Sequence, residues 1–435
     1  MREVVRCYIA NGRYVDVTLN ESLAVFDYET GNIKRIRPID SKGYLIPVLK
    51  HKWMRPNHKA PKYEKFEDGW FYGAMLSDGW VSDTYLGYTK LNDATRNKVK
   101  NYISKHTGTL PYHKITTEIS KTKLGPSHSI VYGNKASVDF GMSLDMYAED
   151  LRSAITKRIS PDIFKDWDRD FLFGILSGLI DGDGSMSCIQ KVNGPSFDVR
   201  ISTSSKYLVE DLKYLCYLLG LRFYITKTDP RNWSSDSYTF GIYSVDVSQN
   251  IQNFKFTNID NIAISEYWKS VGPGRDSRDI IPLSNSEAEF LKNEAIRRKD
   301  QGLYKTVTPS GSHRVTRNKL MEYIDVIPND SDLCFRIMNR NVIWCPVTNI
   351  EPRGIQQTWD FEIPTTKTFV INEGVLVYDT ISVNGVMSKE ANDECNAYYD
   401  SLGSLIDLNG SLLVNIDTDL INWITFNLTR DPSIK

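Results

Sequence analysis

Both ends of the chain carry short runs in which apolar and polar residues alternate, a pattern typical of half-buried strands. Residues 3–50 contain two hairpin signals, Asn11-Gly12 and the stretch 29–32, each between alternating runs. Residues 341–378 return to this alternating pattern after a long segment in which helical periodicities dominate. We therefore predict one all-β unit that is interrupted by a large insert.

The insert, from about residue 60 to 270, mixes helical periodicities with strands. In its second half an apolar run, 171–180, precedes a hairpin signal at Asn193-Gly194. Ser204-Ser205 then caps a helix that Gly220 ends, and a second hairpin follows. The order helix, two strands, helix, two strands, helix predicts a four-stranded antiparallel sheet with one face on helices. The predicted fold class is α+β.

A weak internal repeat relates "GWFYGAMLSDGW" (69–80) to "GILSGLIDGDGS" (174–185). Small residues recur at every fourth position in both copies, and such a stripe allows two helix backbones to approach closely. If the helices pack there, Asp78 and Asp183 meet, although they lie 105 positions apart in the chain. Adjacent carboxylates repel each other unless a cation lies between them. The repeat therefore predicts a shared metal site.

Either copy alone is also explained by a core helix that ends in a polar glycine turn, but two matching copies favour the metal site.

The face of the predicted sheet that does not pack on helices suits a DNA major groove. Its basic residues are candidates for contacts with phosphates or base edges, although each is also explained as a solvated charge: Lys191, Arg200, Arg222 and Lys227.

Composition narrows the function classes. The 435 residues are 41% hydrophobic and 25% charged with a net charge of −1, so any DNA-binding surface is a local patch. Six scattered cysteines without a CxxC pair predict neither a disulfide framework nor structural zinc. The N-terminus shows no signal segment, and the longest apolar run is about half of a membrane span. We expect a soluble intracellular protein without a membrane partner.

"LSGLIDGDG" (176–184) resembles the signature of the LAGLIDADG homing endonucleases at seven of nine positions, and "GAMLSDG" (73–79) is a looser copy. The resemblance implies two αββαββα modules related by a pseudo-twofold axis and acting as a monomer on double-stranded DNA. It also implies that Asp78 and Asp183 bind two or more Mg²⁺ ions that drive hydrolysis of both strands. Lys227 is the candidate for the basic residue that the family places near the metals. The implied location is the cytoplasm of a prokaryotic or phage-infected host.

The flanking strands resemble the Hint splicing domain of inteins, the usual host of such an insert. Thr18 matches the residue that assists the first acyl shift, but Glu21 stands where a histidine is expected. At the C-terminal junction Asp379 replaces the cyclising asparagine and precedes Thr380, the acceptor nucleophile. The block with the N-terminal nucleophile is absent. The chain is therefore either the C-terminal piece of a split intein, with a separate N-terminal fragment as partner, or one whose splicing has decayed.

The stretch 379–394 resembles the largest subunit of multisubunit RNA polymerases, as expected for a downstream extein. The predicted division is into a first Hint part, the endonuclease domain, a basic connecting and DNA-contacting region, the C-terminal Hint blocks and the tail: residues 1–55, 60–270, 271–334, 335–379 and 380–435. The leading function is site-specific double-strand cleavage of the uninterrupted host gene, which promotes intein homing. Trans-splicing onto Thr380 and RNA binding of the maturase type are the alternatives.

Overall fold

The computed structural model divides the chain into two compact units, an outer unit of Met1–Met54 with Arg275–Lys435 and an inner unit of Arg55–Gly274. The described residues are 2–19, 22–50, 62–116, 127–191, 194–228, 237–272, 276, 278–308, 311–358, 368–371 and 374–378. Glu21, Asp379 and Thr380 lie outside these ranges, as does the tail that resembles a polymerase. No helix in the described ranges combines the length and apolar character needed to cross a bilayer.

The outer unit opens with five strands: β1 (Arg2–Ile9), β2 (Arg13–Thr18), β3 (Ser22–Phe26), β4 (Ile33–Ile36) and β5 (Leu45–Leu49). The inner unit then contains, in order, α1 (Phe66–Asp78), β6 (Gly79–Val81), β7 (Leu86–Thr89), α2 (Asp93–Thr107), β8 (Tyr112–Thr116), β9 (Ser127–Tyr132), α3 (Lys135–Met142), α4 (Arg169–Asp181), β10 (Gly184–Lys191), β11 (Gly194–Thr203), α5 (Lys206–Leu219), β12 (Phe223–Thr228), β13 (Ser237–Ile242), α6 (Ser244–Gln249) and α7 (Ile259–Val271). The outer unit resumes with β14 (Ile280–Pro282), α8 (Asn285–Arg297), α9 (Gln301–Val307), β15 (Arg314–Thr316), α10 (Arg317–Met321), α11 (Asp332–Met338), β16 (Val342–Gln356), β17 (Thr368–Ile371) and β18 (Val375–Tyr378).

The main sheet of the outer unit has the strand order β2-β1-β16-β5-β18-β3-β4, with β17 paired to β18. Its first hairpin turns through the three residues Ala10–Gly12, and the positive φ angles of Asn11 and Gly12, 77° and 82°, lie in the left-handed region that such tight hairpin turns use. Strand β16 pairs antiparallel with both β1 and β5. Strands from the two ends of the chain therefore share one sheet.

Helices α8–α11 also belong to the outer unit. Leu291 and Ile337 of these helices share a hydrophobic core with Phe26 and Trp344 of the strands. Residues 271–334, which the sequence pattern suggested as a separate connecting region, thus contribute to this core. The expectation of an all-β outer domain is corrected: the unit is mixed, because the apolar stripe of the charged α8 segment is buried in the same core as the strands.

The inner unit contains two αββαββ modules with the same sheet topology. The first sheet has the order β6-β7-β9-β8 and the second β10-β11-β13-β12. Helix α2 is capped by the side chain of Asn92 and ends at Gly108 with φ of 67°, while α5 is capped by Ser205 and ends at Gly220 with φ of 72°. The helix and strand order predicted for the second half is confirmed, as are the cap and end of α5.

Helices α1 and α4 pack against each other through their glycines. A Cβ built on Gly73 would collide with the carbonyl oxygen of Ile175, and one built on Gly178 would collide with that of Trp70. The two contacts are equivalent, because Gly178 and Ile175 lie 105 residues after Gly73 and Trp70 in the chain. The predicted close approach through the small-residue stripes is confirmed, and it relates the two modules by a pseudo-twofold axis.

Candidate active site

The close helix packing brings two acidic side chains to one place. Asp78 is the last residue of α1, and Asp183 follows the end of α4 by two positions. A Cβ built on Gly182, directly before Asp183, would lie 3.1 Å from Oδ2 of Asp78. The charge of Asp78 acts on Asp183 directly. Two residues 105 positions apart in the chain therefore form an acid pair.

The electrostatics of the acid pair are unfavourable without a counter-charge. Asp183 is open to solvent on one side, yet surrounding protein atoms desolvate its carboxylate. This desolvation, together with the charge of Asp78, raises the pKa of Asp183 to about 6. Lys157 and Lys90 oppose the rise.

Lys90 bridges the two halves of the site. It follows β7, and its Nζ lies 3.0 Å from Oδ2 of Asp78. The same Nζ donates a hydrogen bond of 2.7 Å to the carbonyl oxygen of Gly182. One ammonium group therefore pairs with the first acid and holds the backbone directly before the second.

Lys157 makes the complementary contact from the segment that links the two modules. Its Nζ donates to the carbonyl oxygen of Ser77 at 2.7 Å, directly before Asp78, and reaches that of Met75 at 3.4 Å. The side chain is buried, and this burial lowers the pKa of Lys157 to about 8 against the opposing influence of Asp183 and Asp78. Each acid thus follows a carbonyl group that a lysine holds.

Asp181 has a structural role distinct from that of Asp183. Its buried carboxylate accepts hydrogen bonds from the indole Nε1 of Trp70 at 2.9 Å and from the backbone N–H of Thr257 at 2.7 Å. The backbone N–H of Asn258 and the side-chain amide of Asn261 donate to it at 3.2 and 3.0 Å. Because these donors lie on α1 and at the start of α7, Asp181 fastens both helices to the end of α4.

The second sheet has the two contrasting faces that the strand alternation predicts. Val199, Ile201 and Phe240 lie on the buried face. The opposite face is polar and carries residues of alternating positions on its four strands: Ser185, Ser187, Asp198, Arg200, Ser202, Tyr224, Thr226 and Thr239. Such a face presents hydrogen-bonding groups along the width of a nucleic-acid groove.

Arg200 lies on this polar face and is solvent-exposed. Its guanidinium pairs with Asp198, which also accepts a hydrogen bond of 2.9 Å from the hydroxyl of Tyr224. The neighbours on β11 and β12 thereby hold the arginine in an oriented position. The structure describes the backbone of Lys191 at the end of β10 but not its side chain.

The structure gives Arg222 a role that differs from the predicted DNA contact. The residue immediately precedes β12 and is 5% exposed. Its Nε and Nη2 donate to the two carboxylate oxygens of the buried Asp246 at 2.8 and 3.0 Å. This correction has a physical cause: a guanidinium committed to a buried bidentate ion pair is not presented to a phosphate.

Lys227 lies on β12, an edge strand, opposite Tyr238 of β13, and is exposed. By strand alternation it shares a face with Phe223 and Ile225, the helix-packed side of the sheet. Among the described residues, the lysines found to act on the acid pair are instead Lys90 and Lys157. No local pattern marks either lysine in the sequence, since each reaches the acids only through the folding of its module.

Of the predicted splicing residues, the described part of the chain contains Thr18, which lies in the outer unit. Thr18 is the buried last residue of β2. Tyr378, the last residue before Asp379, pairs with Ser22 at the start of β3. The β18 terminus therefore lies beside a strand that begins four residues after Thr18.

The donor set of the acid pair fits a hard divalent cation. In the described part of the chain no third histidine, cysteine, aspartate or glutamate joins the two acids in a cluster of metal-binding type. Hard cations such as Mg²⁺ take carboxylate, carbonyl and phosphate oxygens and keep several waters. Asp78 and Asp183 would hold the cation, with further oxygens from a phosphate and water. A cation there also relieves the repulsion between the carboxylates.

Comparison with known proteins matches part of the inner unit to a family. Residues 170–255 match the family model described as a LAGLIDADG-like domain. This range begins at the start of α4, includes Asp183 and the second sheet, and ends before α7.

A curated relative is the DNA-directed RNA polymerase subunit Rpo1C of Methanocaldococcus jannaschii, which is 20% identical over 388 residues. The match covers 85% of this chain but 41% of the relative, so the chain spans about two fifths of that protein's length. Among solved structures, the homing endonuclease I-WcaI bound to its DNA recognition sequence is 14% identical, with 46% of this chain and 87% of that chain covered and a TM-score of 0.30. Full-length DUF199/WhiA from Thermotoga maritima is 13% identical, with coverages of 61% and 78% and a TM-score of 0.31.

Proposed function

We propose that the inner unit is a site-specific DNA endonuclease that uses a divalent cation to cut both strands of a duplex. The observation that carries this proposal is the acid pair: Asp78 and Asp183 meet at the ends of two helices related by a pseudo-twofold axis. A duplex has two antiparallel strands related by a similar twofold symmetry, so paired acids suit two scissile phosphates. The LAGLIDADG-like match over 170–255 supports the same function.

Hydrolysis of a phosphodiester forms a bond from a water oxygen to phosphorus and breaks one P–O ester bond, with a proton passing to the leaving oxygen. The residues of the site hold positive charge where negative charge develops. Lys157, with a pKa of about 8, is largely protonated at pH 7, and Lys90 is already oriented by Asp78. When bound at the acid pair, Mg²⁺ supplies further positive charge and lowers the pKa of water.

The polar sheet faces are the proposed DNA-contacting surfaces. Arg200 is the best-placed basic residue on the second sheet, because it is exposed and oriented by Asp198. We retain Lys191 at the end of β10 as a proposed phosphate contact, and Lys227 of the edge strand β12 as a second one, while Lys90 and Lys157 take the place proposed for Lys227 near the metals. Phosphate contacts supply affinity and register, whereas base-edge contacts supply specificity.

The relative named as an RNA polymerase subunit suggests the target. The similarity covers 85% of this chain, which is more than either compact unit contains, so it extends over residues of both. We propose that the cleavage site is an RNA polymerase gene that lacks the insert, and that cleavage promotes homing of the intein-like element into it.

A plasmid cleavage assay tests this function. The substrate is a supercoiled plasmid with the uninterrupted polymerase gene segment, incubated with the full chain with and without Mg²⁺, and a plasmid that carries the interrupted gene is the control. We expect Mg²⁺-dependent linearisation of the first plasmid only. Asp170→Asn, an exposed acid at the opposite end of α4, is the matched control variant and retains cleavage. Failure to linearise the plasmid, with Asp78 and Asp183 intact, contradicts the proposal.

A second candidate function, protein trans-splicing by the outer unit, is favoured by one observation. The pairing of Tyr378 with Ser22 brings the residue before Asp379 to the start of β3, near Thr18 in the chain. A separate N-terminal fragment with a cysteine or serine nucleophile is the required partner, and Thr380 is the acceptor.

Intact-mass measurement over time tests this second function. We expect the chain alone neither to splice nor to shed residues 380–435 quickly, because Asp379 lacks the amide nitrogen that asparagine uses as nucleophile. Asp379→Asn accelerates cleavage of the 379–380 bond. Prompt release of the tail by the unmodified chain would show that Asp379 is competent.

A further inference from the structure

Tyr88 combines full burial with an unpaired hydroxyl near the acid pair. Its side chain is 0% exposed, and its hydroxyl has no hydrogen-bond partner in the described part of the chain. Buried hydroxyl groups in folded proteins nearly always have a partner, because an unpaired one loses its hydration without compensation. Among the described residues, no protein group therefore uses this hydroxyl.

The register of the first sheet places Tyr88 next to the acids. Tyr88 on β7 lies directly opposite Gly79 of β6, and Gly79 follows Asp78 in the chain. Burial first, and then the charges of Asp78, Asp181 and Asp183, raise the pKa of Tyr88 well above its usual value. The geometric observation is the register: Tyr88 stands opposite the residue that directly follows Asp78.

The second module shows that packing does not require this hydroxyl. Ile201 of β11 lies opposite Gly184 of β10, as Tyr88 lies opposite Gly79. Ile201 is fully buried and fills the equivalent place with hydrocarbon alone. An aliphatic residue therefore suffices at this position of the fold, and the hydroxyl in the first module calls for another role.

We propose that Tyr88 is a positioning residue for the acid pair: its hydroxyl donates to a carboxylate oxygen of Asp78 or Asp183, directly or through one enclosed water, when a divalent cation is bound. The cation competes with Lys90 for Asp78, whose Oδ2 now pairs with that lysine at 3.0 Å. Tyr88 would then supply a neutral donor from β7 and hold the carboxylate in the orientation that binds the cation. This inference rests on the proposed metal-dependent function of the same site.

Tyr88→Phe tests the proposal, with Tyr132→Phe as a matched control. Tyr132 lies on the same face of the sheet, opposite Leu86, and is 1% exposed. Unlike Tyr88, its hydroxyl is already used, since it donates to the carbonyl oxygen of Lys100 at 3.0 Å. Both variants remove one buried tyrosine hydroxyl from one sheet, so they differ chiefly in whether a protein group already pairs with that hydroxyl.

The measurements are the melting temperature, the affinity for Mn²⁺ alone by calorimetry, and the Mg²⁺ concentration for half-maximal plasmid cleavage. We expect Tyr88→Phe to keep or raise the melting temperature while both metal measures weaken about tenfold, the loss of about one hydrogen bond to a charged group. Tyr132→Phe lowers the melting temperature and leaves both metal measures unchanged.

The proposal is overturned if Tyr88→Phe leaves the Mn²⁺ affinity and the Mg²⁺ requirement for cleavage unchanged. This holds whether the melting temperature rises, which indicates a hydroxyl without a role, or falls, which indicates a role in packing. If the unmodified chain binds Mn²⁺ but cleaves no DNA, the endonuclease function fails while the Mn²⁺ comparison still decides the role of Tyr88. All titrations are made well below the melting temperatures of the unmodified chain and of the two variants, so that differences in folding do not affect the measured metal affinities.

Discussion

At the end of α1 the amine of Lys157 lies 3.4 Å from the carbonyl oxygen of Met75, whereas at the end of α4 the side-chain amide of Asn261 lies 3.4 Å from that of Ile180. Met75 and Ile180 are equivalent under the 105-residue repeat. At this pair of carbonyls the first module presents a cation and the second a neutral amide, although two residues further on a lysine holds the equivalent carbonyls of Ser77 and Gly182 in both modules. Glycine packing is common to both modules, while the polar chemistry around it has diverged.

The same asymmetry recurs at two other pairs of positions. Asp181, with its four hydrogen bonds, corresponds in the repeat to the buried Leu76. Tyr88 corresponds through the sheet register to Ile201. We infer that the second module carries the structural anchor of α7 and the first carries most of the catalytic support, so matched substitutions in the two modules have unequal effects.

The largest expected effect comes from the pair that remains symmetric. Asp78→Asn and Asp183→Asn each reduce cleavage by ~10³-fold or more, since each removes a ligand charge worth several kcal/mol of transition-state stabilisation. DNA affinity stays near normal because it depends on phosphate contacts from the sheets. Single-turnover cleavage and gel-shift titrations in Ca²⁺ measure the two quantities. Full cleavage activity of either variant would contradict the hypothesis that both acids form the catalytic site.

Matched glycine substitutions test the packing that both modules share. Gly73→Leu and Gly178→Leu each lower the free energy of unfolding by about 3 kcal/mol or more, because a side chain there meets the backbone of the facing helix. Leu110→Ala, at a side chain that is 82% exposed, is the control and changes little. Thermal or urea unfolding gives the values. An unchanged stability in one variant alone would show that the two helices do not pack as a symmetric pair.

Substitution of the two residues at the helix ends sharpens the contrast between the modules. Lys157→Met lowers cleavage by ~10²-fold or more through the lost charge, while stability changes little, because the loss of its hydrogen bonds to Ser77 and Met75 is offset by the removed cost of burying a cation. Asn261→Leu has the opposite profile: stability falls by about 1–3 kcal/mol as the buried Asp181 loses a donor, with a smaller effect on cleavage. Cleavage rates and unfolding curves of both variants test this contrast. If the two variants lose cleavage and stability to the same extent, the proposed division of roles between the modules is wrong.

The last expected effect concerns pH and leaves cleavage unchanged. Burial raises the pKa of Asp211 on α5 to about 6 against the influence of Arg158, 3.3 Å away. Because the folded state holds this proton more tightly than the unfolded chain, Asp211 favours folding at low pH, and that contribution is lost as pH rises from about 4 to 6. Asp211→Asn removes a variation of about 2–3 kcal/mol over this window. Urea unfolding from pH 4 to 7 measures it, and identical pH profiles for the variant and the unmodified chain contradict the assignment.

Local patterns in the chain predicted the elements of the fold well where periodicity and end signals agree. Ser205 and Gly220 bound α5 as expected, and Asn11-Gly12 forms the expected turn. The pattern was misleading at α8, where exposed charges suggested a separate connecting region although Leu291 is fully buried in the core of the outer unit. A helix with a narrow apolar stripe does not reveal in its own sequence which surface it covers.

The sequence by itself determined the acid pair, because two copies of a small-residue stripe dictate a close helix contact, and a close contact dictates that Asp78 and Asp183 meet. Only the tertiary structure decided which other groups join them. Lys90 and Lys157 act on the acids from a loop and a linker, and Tyr88 lies on the strand beside them, where nothing in the neighbouring residues distinguishes them from other lysines and tyrosines. The fold likewise placed Arg222 against Asp246, since burial and ion pairing depend on residues far away in the chain. Helix contacts recur along one face and therefore produce a periodic pattern in the sequence. Polar contacts at a site involve single residues and produce no such pattern.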